Sequence, residues 1–138
     1  MVVILGIFYF GQDQNLKDET AIINAVENLT NWLFEKGYRN VLIEITNESG
    51  IKAYDHQILY PQRISELIVR VKVKQKKGYR FLVGTSFGGK VVPTSNVVKA
   101  SDFLLIHGNG AKDPNQIQLL IEYLVIVSFN ATFICNFY

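Results

Sequence analysis

The stretch 40–49 reads NVLIEITNES and carries two glutamates, Glu44 and Glu48, four residues apart, with Asn47 immediately before the second. Side chains alternate along an extended strand, so Leu42, Glu44, Thr46 and Glu48 fall on one face. Glu48 then stands where the apolar run ends. If that face is a barrel interior, Glu48 sits at the C-terminal rim, where such barrels keep their chemistry. A carboxyl group partly withdrawn from water there has its pKa raised and can act as a general acid near neutrality. The plainer reading of Asn-Glu-Ser-Gly is a turn that follows a strand.

Gly84-Thr85-Ser86-Phe87-Gly88 offers a different chemistry. It fits G-x-S-x-G after an apolar strand, the nucleophile elbow of α/β-hydrolases, and would make Ser86 the nucleophile of an esterase-type enzyme. An elbow needs a helix to begin at once, but Lys90-Val91-Val92-Pro93 is β-branched and then broken by proline. Its triad would have to draw on Asp102 and His107, which flank one strand rather than separate strand ends. His107 is otherwise read as a buried, hydrogen-bonded ring. His56 follows Tyr54-Asp55 in a loop and reads as a surface histidine, and Asp102 and Asp113 read as turn or capping residues. One cysteine, Cys135, and two histidines exclude an internal disulfide framework and a Cys/His zinc site, and no metal or cofactor is implied.

These residues must be positioned by alternating strands and helices. A first strand is expected within residues 1–10 (MVVILGIFYF), which lack a leading Lys or Arg and carry Phe8-Tyr9-Phe10 in place of a signal peptide's small-residue cleavage site. That segment reads as a buried strand. A helix follows, with Asp18 as N-cap, the stripe Ile22, Val26, Leu29 and Leu33, and Gly37 as its C-terminal stop. Val41–Thr46 is the second strand, and Ile64, Leu67, Ile68 and Val71 mark a second helix that runs into Lys-rich sequence. Strands are then expected at 79–85, Phe103–His107 and 124–129, with a helix through Ile117, Leu120, Ile121 and Leu124 that starts at Asp113-Pro114. Near-continuous apolar strands separated by helices predict an α/β fold with a parallel sheet covered on both faces or closed into a barrel.

At 138 residues the chain is one domain, 1–138, with 49% hydrophobic and 19% charged residues and a net charge of +2. No apolar run reaches the length of a membrane span, so no membrane partner is expected. Residues 1–50 carry 3 basic and 7 acidic side chains, whereas residues 51–80 carry 8 and 2. The basic block Arg70, Lys72, Lys74, Lys76, Lys77 and Arg80 reads either as a phosphate or nucleic-acid patch or as the solvated end of a helix, where cations meet the negative pole of its dipole. Without aromatic interleaving or a nucleic-acid module the helix-end reading is preferred, and no nucleic acid is expected as a partner. Residues 123–138 carry no charge at all, so the chain is expected to stop inside a fold whose remainder is missing. The sequence assigns no compartment.

YRNVLIEITNES resembles the fourth-strand segment of the clan A glycoside hydrolases, the retaining (β/α)₈ barrels that include cellulase-like enzymes. The resemblance implies a partial TIM barrel comprising roughly strands three to seven, with β-linked carbohydrate as the partner. It implies that Glu44 matches the family's interior carboxylate, that Asn47 binds the sugar 2-hydroxyl, and that Glu48 is the acid/base. Residues 8–14 look like the rim of the third strand, with Gln12 and Asp13 toward a sugar cleft. Residues 84–89 look like the fifth rim, including Ser86, and residues 106–110 like the sixth, with His107 facing the cleft. Retaining chemistry also needs a nucleophilic carboxylate about 5–5.5 Å from the acid/base. The family places it after the seventh strand, where this chain reads VIVSFNATF, and no acidic residue follows Ser128. A half-barrel is further expected to self-associate through its uncovered edges.

Overall fold

The computed structural model describes residues 1–51, 53–88, 91–107 and 132–136, together with positions 113, 115, 116, 118, 119, 121 and 122. Five strands, β1 (Val3–Phe8), β2 (Val41–Thr46), β3 (Leu82–Phe87), β4 (Phe103–His107) and β5 (Thr132–Asn136), form one sheet in the order β1-β2-β3-β4-β5. Every neighbouring pair is parallel. The strand order never reverses. With right-handed crossovers, each step in the same direction places its helix on the same face, whereas a doubly wound sheet requires a reversal.

The helix-covered face is continuous in the side chains. Val41, Ile43 and Ile45 of β2, Val83 and Phe87 of β3, and Leu104 and Ile106 of β4 share one core with Ile22, Val26 and Leu33 of helix α1 (Glu19–Lys36). Ile64, Leu67, Ile68 and Val71 of α2 (Ile64–Lys72) and Val97 and Val98 of α3 (Ser95–Ala100) complete it. α1 forms as its sequence dictates. The Asp18 carboxylate accepts from Ala21 N at 2.9 Å, and Gly37 closes the helix at φ 75°, a left-handed conformation that glycine adopts without strain.

The opposite face is where the chemistry-bearing residues lie. It presents Leu42 and Glu44 of β2, Gly84 and Ser86 of β3, and Phe103 and Leu105 of β4. Gly84 is forced by close approach, because a Cβ there would lie 2.0 Å from the Phe103 carbonyl oxygen. The sheet thus draws β3 and β4 together at the level just below the site.

Two expectations are corrected. β1 is not a buried strand: it lies at the sheet edge, with Val3 and Ile4 39% and 41% exposed. An apolar run alone does not tell a central strand from an uncovered one. β3 starts three residues later than expected. Lys76 and Tyr79 exchange both backbone hydrogen bonds around a tight turn, with Lys77 and Gly78 at φ 52° and 74°, and this hairpin removes Tyr79 from the sheet. The strand expected at 124–129 lies outside the described residues, and the fifth described strand is Thr132–Asn136, paired with β4 through His107↔Asn136. The helix expected through Ile117–Leu124 has its described positions 115, 116, 118, 119, 121 and 122 in helical conformation. Asp113 accepts from Asn115 N at 2.9 Å, as a cap should.

Most of the basic block is consumed by the acidic face of α1 and by Asp102. Arg70 pairs with Glu27, Lys74 lies 3.8 Å from the same carboxylate, and Lys72 and Arg80 pair with Asp102. Asp102 is thus more than a turn residue. Arg80 grips both its oxygens, at 2.6 and 2.9 Å, and it also accepts from Val83 N. Burial raises its pKa, but these partners hold the carboxyl below its ordinary value. No described helix is long and apolar enough to cross a membrane.

Candidate functional site

The C-terminal ends of β2, β3 and β4 converge on one carboxylate. β2 ends at Thr46, and Glu48 follows in a left-handed conformation, φ 50°, that a residue with a side chain rarely adopts. Two contacts from β3 hold it there. Glu48 N donates to Ser86 Oγ at 2.6 Å, and Ser49 N donates to the Ser86 carbonyl at 2.8 Å. The backbone strain at Glu48 is thereby fixed by a buried hydroxyl, and strain of this kind is characteristic of functional positions. The carboxylate so aimed meets the last residue of β4, with His107 Nδ1 2.9 Å from Glu48 Oε1. Both side chains keep partial access to solvent, 20% for His107 and 12% for Glu48. Gly88 lies beside this carboxyl, and a Cβ there would make an ordinary contact with it at 3.9 Å.

Below this pair sits Glu44, 8% exposed, with its Oε1 buried and without a hydrogen-bond partner. Gly6 on β1 accommodates it, because a Cβ at that position would come within 3.3 Å of Glu44 Oε2. Desolvation pushes the Glu44 pKa up; the nearby Ser86 hydroxyl and the His107 ring oppose this, and the Glu48 charge adds to it, leaving a net rise. Two carboxyls four residues apart therefore occupy different environments, one at the rim against an imidazole and one in the interior.

The rim of β1 and β2 is locked by an aromatic residue that the sequence did not single out. Tyr54, 3% exposed, donates its hydroxyl to the Asn47 carbonyl at 2.5 Å, while Asn47 N donates to the Phe8 carbonyl at 2.9 Å. Burial, together with the neighbouring Glu44, Asp13 and Glu48 charges, pushes the Tyr54 hydroxyl far above its usual range, so it remains a donor. Its only signal in the sequence was an aromatic placed in a loop of polar residues.

Of the expected site residues, Glu48, Ser86 and His107 come together, and Asn47 adjoins them. Asp13 does not serve as a cleft residue. Its side chain is fully buried and accepts from Asp55 N, His56 N and His56 Nδ1 at 2.8, 3.0 and 3.1 Å. Burial raises its pKa, but these three bonds outweigh that and bring it below the ordinary value. His56 is correspondingly no surface histidine, with a side chain 16% exposed. Gln12 is solvent-exposed, and its carbonyl serves the Asn15 side chain. Ser86 is not on a strained turn. It lies within β3, is 0% exposed and pairs with Leu105, and the next described helix starts at Ser95. A nucleophile elbow requires the opposite on each count.

Among the described residues, no group of three or more His, Cys, Asp or Glu side chains is gathered that could hold a metal ion. Comparison with protein-family models, with curated proteins and with solved structures returns no match.

Proposed function

We propose that this chain is part of a (β/α)₈ barrel of the glycoside hydrolase type, which binds or cleaves β-linked carbohydrate at the C-terminal ends of its strands. The unreversed parallel order supports the barrel reading, because a singly wound sheet is the arrangement that closes on itself. The observation that carries the function is the Glu48 carboxyl at the exit of β2, aimed by Ser86 and joined to His107 across the width of β3.

In this reading Glu48 protonates the departing glycosidic oxygen and later takes a proton from water, while Asn47 holds the sugar 2-hydroxyl. His107 orients the carboxyl through Nδ1, leaving its other ring nitrogen for a sugar hydroxyl. The second carboxylate that a double displacement needs is not supplied after Ser128, where the sequence contains neither Asp nor Glu. Binding without turnover is therefore an expected behaviour of this chain.

The test is an NMR titration of the labelled chain with a panel of β-linked oligosaccharides. The amide signals of Asn47, Glu48 and His107 should shift saturably. Glu48→Gln should preserve the binding and lower any hydrolysis of an aryl β-glycoside by about 100-fold or more. Absence of saturable shifts across the panel would overturn the proposal.

A further inference from the structure

A cavity lies at the other end of the sheet, before the N-termini of β2 and β3. Its volume is about 240 Å³, and it is lined by Phe34, Glu35, Tyr38, Arg39, Lys76, Lys77 and Tyr79 among others. The cations here differ from the rest of the basic block. Arg70, Lys72, Lys74 and Arg80 each have a carboxylate within ion-pair distance. Arg39, Lys76 and Lys77 have none among the described residues, although Glu35 lines the same cavity.

Their placement is built rather than loose. The Arg39 guanidinium stacks 4.9 Å from the centre of the Tyr79 ring, whose hydroxyl donates to the Arg39 carbonyl at 2.8 Å. Lys76 and Lys77 ride on the tight turn closed by the two Lys76–Tyr79 backbone bonds. The positive φ angles at Lys77 and Gly78 are those of a type I′ turn, whose first central position favours asparagine or glycine. A lysine in that left-handed position is strained, and it adds charge exactly where relief would have been simplest.

We propose that this cavity binds a phosphoryl dianion, either as free phosphate or as the head of a phosphate monoester whose body rests on the half-exposed Tyr38 ring. Three cations with no carboxylate within ion-pair distance among the described residues, one of them a planar guanidinium, match the charge and the several acceptor oxygens of that group. The site is independent of the carbohydrate reading, being at the opposite end of the strands.

The labelled full-length chain is titrated with inorganic phosphate and, separately, with glucose 6-phosphate and AMP at constant ionic strength. Saturable shifts are expected at Arg39, Lys76, Lys77 and Tyr79. Equal affinities for all three would assign free phosphate as the ligand, and tighter binding of a monoester would assign the ester. Lys77→Gly removes a charge while easing the turn, so the fold is retained, and it should weaken binding about tenfold. Linear shifts spread over other lysines, or an affinity unchanged in Lys77→Gly, would overturn the proposal.

Discussion

Glu48 and Glu44 lie four residues apart, two strand repeats, yet the structure gives them opposite surroundings. Glu48 leaves the strand, turns left-handed and reaches an imidazole, whereas Glu44 stays on the sheet with one oxygen unpartnered. The second environment has a measurable consequence. A carboxyl whose folded pKa lies above its unfolded value of 4.5 stays protonated in the folded state over a range where the unfolded chain ionises. Stability attributable to Glu44 is thus complete below pH 4.5 and is lost as pH rises toward the folded pKa. Glutamine mimics the protonated acid and does not titrate. Denaturant unfolding from pH 4 to 8 should therefore show Glu44→Gln gaining on the wild type as pH increases. A constant difference across that range would mean that folding leaves the Glu44 pKa where it is in the unfolded chain.

At the scale of elements, the site exists because β3 can approach β4 closely enough to bring Ser86 under Glu48 while β4 delivers His107. Gly84 is the residue that permits this. Its missing Cβ leaves space that a methyl group would fill at 2.0 Å from a backbone oxygen, and backbone cannot rotate away as a side chain would. Gly84→Ala should cost about 3 kcal/mol or more in chemical denaturation, and it should separate the His107 and Glu48 signals. A loss below about 1 kcal/mol would mean that the strands part easily. The loop between β2 and α2 is fastened in a comparable way by Asp13, Tyr54 and His56. That bracket was not legible in the sequence, because Asp13 and His56 are 43 residues apart and neither sits in a recognisable pattern.

At the scale of the whole molecule, the described strands form one unreversed parallel sheet with β1 at an edge. β1 leaves Val3 and Ile4 39% and 41% exposed. An apolar edge strand is a template for pairing with another chain. Sedimentation velocity at rising concentration should show reversible association, and Ile4→Lys should shift the chain toward monomer. A monomer at every concentration would argue that this edge does not drive self-pairing.

Read alone, the sequence determined what depends on neighbours along the chain. The cap at Asp18, the stop at Gly37, the stripe of α1, the β-branched run of β2 and the bounds of β4 follow from propensity and spacing, which are local properties. It also placed an acidic residue at the exit of a strand. The tertiary structure alone decided that strand order does not reverse, that β1 is an edge, and that Ser86 lies inside a strand as a bond acceptor instead of on a turn. The same holds for the pairing of residues 48 and 107, which lie 59 positions apart. Such contacts depend on which strands become neighbours, and that is settled by packing among helices and sheet, not by any residue's own preference.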